Sequence, residues 1–246
     1  MDLQIVWFIL VTVLFVGFFF LEGFDYGVGT ILPFFAKNDV ERRMLINSIG
    51  PVWDGNEVWM ITAGGAMFAA FPHVYATMFS AFYMALFLML IGLIVRGVAF
   101  EFRFKANKSR HWWDKAFIGG SILASFFQGM ILGAYIQGIH TTNGIYSGGV
   151  WDWLTPFSVF TGIGVVAMYA ALGCGWLILK TEANLQQAMY QLMPKLLIAL
   201  LIIFGAVSIY TPLTHPEIAQ RWFALPNLLY FSPVPVLVAL FSGLIL

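Results

Sequence analysis

Residues 3–21 read LQIVWFILVTVLFVGFFFL, and this apolar stretch is followed at once by Glu22 and three residues later by Asp25. A helix needs about 20 mostly apolar residues to cross the hydrocarbon core of a bilayer. The stretch is too long for the apolar region of a signal peptide, and no basic segment precedes it. We therefore predict a first membrane-spanning helix that carries two carboxylates near one end.

The composition extends this prediction to the whole chain. Of its 246 residues, 61% are hydrophobic and only 10% are charged, which excludes a soluble globular domain. We predict an all-α, polytopic transmembrane helical bundle with complete spans at 4–24, 46–71, 75–95, 116–138, 156–179 and 194–213. A seventh apolar run starts near 224 and is still apolar at Leu246, so we expect the natural protein to be longer.

The basic residues predict the orientation of these spans. Every Lys and Arg except Arg221 falls in or beside the stretch 37–43, the loop after the third span or the loop after the fifth. Because basic loops stay in the cytoplasm, the N-terminus is predicted to lie outside. Tryptophan pairs at the ends of the spans fit an aromatic belt at each membrane interface: Trp112 and Trp113 inside, Trp151 and Trp153 outside.

Four carboxylates lie in or beside the first two apolar segments, which contain no Lys or Arg: Glu22, Asp25, Asp54 and Glu57. An unpaired charge at the centre of a bilayer costs at least about 2.5–3.5 kcal/mol. Each pair is spaced i, i+3 and shares a helix face, so its two members cannot both ionise easily. Carboxyls of this kind can relay protons, here from the cytoplasmic side. Alternatively, they cap helix ends or reach the interface. For Glu22 we favour this alternative, because this residue can reach the interface.

Other polar residues are given structural interpretations. Asn38 and Glu41 resemble a capping box at the start of a helix. The arginines that follow them are read as a solvated basic face, and the single cysteine, Cys174, as a small packing residue. All four histidines lie in predicted loops, so a bis-histidine haem, a copper centre or another metal site in this chain is not expected. Redox cofactors would then belong to a partner.

Four segments together resemble subunit II of the cytochrome bd-type quinol oxidases: GFDYGVG at 23–29, NDVERR at 38–43, NSIGPVWDGNEVW at 47–59 and TAGGA at 62–66. The resemblance covers roughly residues 20–104, and beyond them it rests on the pattern of spans. Members of the family are longer than this chain.

The resemblance implies a fold of two related four-helix units plus one helix, here 1–138 and the start of the second unit, 139–246. It also implies a heterodimer in the prokaryotic inner membrane with a haem-bearing subunit I, which carries two haems b and one haem d. That complex oxidises quinol and reduces O2 to water with cytoplasmic protons. Subunit II binds no haem, although some members hold a structural quinone. Membrane lipids and small accessory subunits are further expected partners, whereas nucleic acid is not.

The resemblance also implies that Asp25 and Asp54 belong to a proton path. Glu57 is a further candidate, although some members have Gln at this position. Support or a path entrance is expected from Glu22, Arg96, Glu101, Trp53 and Asn56. Two alternatives remain: a proton- or cation-coupled transporter, whose intramembrane acids would look similar, and a purely structural assembly subunit.

Overall fold

The structure is a computed structural model that describes residues 2–246. Its elements, in chain order, are α1 (Leu3–Phe35), α2 (Asp39–Ile49), α3 (Trp53–Ala70), α4 (Pro72–Ala81), α5 (Tyr83–Lys105), α6 (Arg110–Gln137), β1 (Thr141–Thr142), β2 (Ile145–Tyr146), α7 (Pro156–Lys180), α8 (Ala183–Thr214), α9 (Pro216–Phe223), α10 (Asn227–Phe231) and α11 (Pro233–Ile245). The two short strands pair antiparallel in a hairpin. The prediction of an all-α bundle is confirmed.

The long helices pack side by side. The pairs α5–α6, α6–α7 and α1–α7 form the main contacts, while α3 lies against α1 and α8 against α7. Within residues 2–246, six segments are long and apolar enough to cross a membrane: α1, α5, α6, α7, α8 and the stretch Asn227–Ile245. The chain is therefore a multi-pass membrane protein.

Glycines allow the closest helix contacts. A Cβ atom at Gly27 of α1 would overlap the backbone carbonyl oxygen of Tyr169 on α7. Between α5 and α6, a Cβ atom at Gly92 would lie 2.8 Å from the backbone nitrogen of Ala124. Small residues let helix backbones approach in membranes, where apolar burial alone does not bring helices together. These contacts fix how α1, α5, α6 and α7 meet.

Two predicted spans are longer in the structure, where α1 continues to Phe35 and α8 begins at Ala183, and two others are divided. The segment 46–71 is not one helix, because α2 ends at Ile49 and α3 begins at Trp53. Pro51 lies between them and has no backbone N–H with which to continue α2. The predicted span 75–95 is likewise divided: α4 ends at Ala81, and α5 starts at Tyr83 and continues to Lys105. Arg96 and Glu101 therefore lie within a helix and not in a loop.

Side-chain contacts identify the two ends of the bundle. At one end Arg103, late in α5, pairs with Asp39 at the start of α2. At the other end the hydroxyl of Thr77 in α4 donates to the carbonyl oxygen of Gly144 in the hairpin. The helix before α3, α2, thus lies at the first end, and the helix after it, α4, lies at the other. Helix α3 must therefore cross between these ends, and its 18 residues span about 27 Å. That the basic end faces the cytoplasm stays a prediction.

The predicted helix cap at Asn38 is confirmed. Its side-chain oxygen accepts a 2.9 Å hydrogen bond from the backbone nitrogen of Glu41. The carboxylate of Glu41 reaches one residue further back than a capping box requires and accepts from the backbone nitrogen of Lys37 at 2.6 Å. These bonds define the start of α2, the short helix that leads into the acidic segment of α3.

Candidate functional site

Side chains from three helices meet inside the bundle, and we call them the acid–arginine cluster: Glu22 and Asp25 of α1, Asn56 and Glu57 of α3, and Arg96 of α5. The two α1 acids are one turn apart on one helix face. Both are fully buried. The helices α3 and α5 approach this face and bring an amide, a third carboxylate and one guanidinium to it.

Arg96 connects the carboxylates of two helices. Its Nη1 atom lies 3.1 Å from Oε1 of Glu22 and 3.3 Å from Oε1 of Glu57. The guanidinium carbon also lies 4.8 Å from the ring centroid of Tyr26 and 5.7 Å from that of Phe117. Aromatic faces attract a cation at such distances, most strongly where water is absent. Arg96 is thus held by two acids and two rings.

Asp25 is held by a different residue. Its Oδ2 atom accepts a 2.8 Å hydrogen bond from Nδ2 of Asn56, and the same nitrogen lies 3.2 Å from the carbonyl oxygen of Leu21. One amide on α3 therefore binds both the backbone and a carboxyl of α1. This contact fixes the rotamer of Asp25 and the position of the first turn of α3.

The cluster contains more acids than bases. It holds three carboxyl groups and one guanidinium, which pairs with Glu22 and Glu57. Oε2 of Glu22 and Oδ1 of Asp25 have no donor among the described residues. Ionisation of all three acids would leave two uncompensated negative charges in a nonpolar interior, which is costly. The favourable state therefore has protons on part of this set, and such groups can accept and release protons.

The polar side chains in the first turn of α3 differ in how far they are exposed. Asn56 is buried, the side chain of Glu57 is 27% exposed, and Asp54, one turn before Glu57, is exposed. Asp54 makes no hydrogen bond or ion pair with any described residue. The two acids of α3 thus lead from the surface of the chain to Arg96 and the buried acids of α1.

Comparison with known proteins identifies the family of this chain. Residues 3–246 match the family model for cytochrome bd terminal oxidase subunit II. The chain belongs to this family. It is 41% identical over 217 residues to the cytochrome bd ubiquinol oxidase subunit 2 of Bacillus subtilis (strain 168), covering 85% of this chain and 64% of that protein.

Two further relatives of this subunit II family show the same identity. A probable cytochrome oxidase subunit 2 of Haemophilus influenzae is 41% identical over 191 residues, 75% of this chain and 50% of its own length. The cytochrome bd-I ubiquinol oxidase subunit 2 of Escherichia coli (strain K12) is 41% identical over 190 residues, 74% of this chain and 50% of that protein. The chain spans half to two thirds of the length of these curated relatives.

The structure brings some of the predicted site residues of this subunit II chain together and not others. One expectation was wrong: Glu22 does not reach the interface, since it is buried in the cluster. Arg96, predicted in or beside the loop after the third span, is buried there as well. Trp53 packs on Phe100 with ring centroids 4.9 Å apart. Glu101 is exposed and makes no ion pair among the described residues. It is therefore outside the cluster.

A second charged network was missed, and we call it the end clamp: Asp39, Arg42, Arg103, Arg110 and Asp114. Arg42 was expected on a solvated face, but its Nη1 atom lies 3.1 Å from Oδ2 of Asp114. Arg43 is exposed, as expected. The sequence carries only a weak signal for this network. Asp39 and Asp114 both lie within basic stretches, and these stretches were used only to predict the orientation of the spans.

Proposed function

We propose that this chain is the non-haem subunit of a membrane-bound cytochrome bd-type quinol:O2 oxidoreductase of the bacterial inner membrane. In this proposal it supports the haem-bearing subunit and provides part of a cytoplasmic proton path for the reduction of O2 to water. The observation that carries the proton path is the buried cluster of three carboxyls and Arg96, which the partly exposed Glu57 and the exposed Asp54 connect to the surface of the chain.

Each residue has a separate role in this proposal. Asp54 and Glu57 take up protons at the exposed start of α3, and Asp25, oriented by Asn56, passes them on. Arg96 keeps the charge of the cluster near balance whichever acid holds the proton. Outside the cluster, Trp53 shields the start of α3, while Glu101 contributes only to the electrostatic field at the entrance.

The haems are proposed to lie on the partner. Axial haem ligation by histidine requires an imidazole inside the bundle, but His73 and His111 are second residues of helices, His140 is in a loop, and His215 joins two helices. Residues 2–246 also contain no group of three or more His, Cys, Asp or Glu side chains that could hold a metal. These donors do not fit a haem. The two haems b and one haem d that the resemblance implies are therefore proposed to lie on subunit I.

Quinol and O2 are the proposed substrates of the heterodimer, and lipids and small accessory subunits its further contacts. For a structural quinone, the structure offers an apolar groove of about 620 Å³ between α1, α3, α4, α5 and α6. Its lining includes Phe15, Phe19, Met60 and Leu93, with Gln128 as a polar member. The division into units 1–138 and 139–246 is also retained as a proposal.

A proton- or cation-coupled transporter is the second candidate function. The break between α2 and α3, directly beside intramembrane acids, is the observation that favours it, because transporters bind ions at discontinuous helices. A transporter would move ions in liposomes without a haem-bearing partner. An assembly subunit without any proton role would tolerate neutralisation of all four acids.

The test is made on the complex purified through a tag on this chain. Haem b and haem d bands in the reduced-minus-oxidised spectrum, together with a larger co-purifying subunit, are expected. The variant Asp54→Asn should then reduce O2 more slowly with quinol while the haem spectrum stays unchanged. Glu182→Gln is the control, since this acid is also exposed and has no proposed role in the path. Full turnover in Asp54→Asn would contradict its role in the proton path.

A further inference from the structure

Helix α5 carries two buried arginines, Arg96 and Arg103, each only 1% exposed. They are seven residues apart, so they lie on nearly the same face of the helix and about 10 Å apart along its axis. Arg96 belongs to the acid–arginine cluster and Arg103 to the end clamp. One rigid helix therefore connects both charged networks.

Arg103 binds acids from two other helices. Its Nη2 atom lies 2.9 Å from Oδ1 of Asp39, the first residue of α2, and its Nε atom donates to Asp114 on α6. The second oxygen of Asp39 accepts from Nη1 of Arg110 at 2.8 Å. Asp114 and Arg103 are buried, whereas the side chain of Asp39 is 50% exposed. The end clamp thus fastens the start of α2 to α5 and α6.

The end of α2 is joined to α3 by a short hydrogen-bonded connection. The backbone nitrogen of Val52 donates to the carbonyl oxygen of Ile49 at 3.0 Å, and that of Asn56 donates to Val52 at 2.9 Å. Ile49 is buried in the core beneath α2. These bonds connect the position of α2 to that of the first turn of α3.

The segment 39–57 consequently meets α5 at both of its ends, through Asp39 on Arg103 and through Glu57 on Arg96. We propose that Asp39 and Arg103 are positioning residues for proton transfer. By fixing α2 they hold the first turn of α3 where Asn56 reaches Asp25. This inference rests on the proposed proton path. A misplacement of about 1 Å far from the reacting atoms can slow a reaction by up to about 100-fold.

A double-mutant cycle on the purified heterodimeric complex tests the proposal. Asp39→Asn is the first variant, since this acid is half exposed and its loss leaves no fully buried partner unpaired: Arg103 keeps Asp114. Asn56→Ala is the second. We expect Asp39→Asn to lower quinol-driven O2 consumption by about tenfold, and the double variant to be no slower than Asn56→Ala alone. The proposal would be overturned if the rate loss of the double variant equalled the product of the two single losses, or if Asp39→Asn kept full turnover.

Two controls accompany the cycle. Lys108→Gln removes an exposed charge of the same end that makes no ion pair with the described residues, and it should leave turnover unchanged. Asp39→Glu should restore most of the turnover, because the carboxylate can still reach Arg103. Failure of the proton path itself would appear separately, as full turnover in Asp25→Asn.

Amide hydrogen exchange tests, independently of activity, whether the end clamp stabilises the first turns of α3. In the intact complex, Asp39→Asn should speed exchange at residues 52–60, whereas Lys108→Gln should not. Faster exchange limited to the first turn of α2 would mean that the clamp does not act on α3. Such a result overturns the inference even if the proton path itself is correct.

Discussion

Nη1 of Arg96 lies 3.1 Å from Oε1 of Glu22, and both side chains are removed from solvent inside the bundle. The acid comes from α1 and the base from α5, 74 residues later in the chain. The same nitrogen lies 3.3 Å from Glu57 on α3. One guanidinium therefore fastens three helices together where an excess of carboxyl groups would otherwise keep them apart.

Loss of Arg96 should be far more harmful than loss of Glu22. Arg96→Gln leaves three carboxyls without a base, and removing one partner of a buried ion pair costs about 3–5 kcal/mol. Glu22→Gln leaves Arg96 paired with Glu57, so its cost should be smaller. We expect Arg96→Gln to lower the yield and the thermal unfolding midpoint of the complex strongly. Arg43→Gln, which changes an exposed arginine, is the control. A wild-type midpoint in Arg96→Gln would refute this account.

Asp25→Asn should slow turnover without changing the haem spectrum. The variant keeps the size of the side chain and one acceptor oxygen for Asn56, but it cannot carry a proton. General acid–base groups typically contribute about 100- to 10,000-fold to a rate, and a relay with neighbouring acids should lose less than this range. Quinol-driven O2 consumption measures the effect, with Glu182→Gln as the exposed-acid control. Equal turnover in the two variants would remove Asp25 from the path.

Much of this architecture was predictable because it depends on local patterns. Apolar runs located the long helices, and the side chain of Asn38 caps α2 as its position predicted. The acids of α1 and α3 were recognised because charge is rare inside membrane spans. The partner of Glu22 was not, since the pattern ended the apolar run at residue 95 and left Arg96 in a loop, whereas α5 continues to Lys105. Asp114 was missed because pairing between distant residues leaves no local pattern.

The crossing of α1 and α7 should not tolerate a side chain at Gly27. A Cβ atom there would overlap the backbone of Tyr169, which cannot rotate away as a side chain could. Overpacking a close-packed interior typically costs about 1–3 kcal/mol. Gly27→Ala should therefore lower the thermal unfolding midpoint of the complex. Gly119→Ala is the matched control on α6, because its Cβ atom meets nothing within 4 Å. Equal unfolding midpoints for the two variants would show that α1 and α7 can move apart at little cost in stability.

The two acids of the end clamp should differ in their effect on stability. Asp114 has 6% of its side chain exposed and contacts both Arg103 and Arg42, whereas Asp39 is 50% exposed. Breaking a buried pair costs about 3–5 kcal/mol, and breaking a solvent-screened pair costs about 1 kcal/mol or less. Asp114→Asn should therefore lower the thermal unfolding midpoint much more than Asp39→Asn. The midpoint of Asp39→Asn should also respond less to salt than that of the wild type, because its screened pair is already absent. If Asp39→Asn proved the more damaging variant, the stability of this end would depend on the ion pairs at the start of α2 and not on the buried pair between α5 and α6.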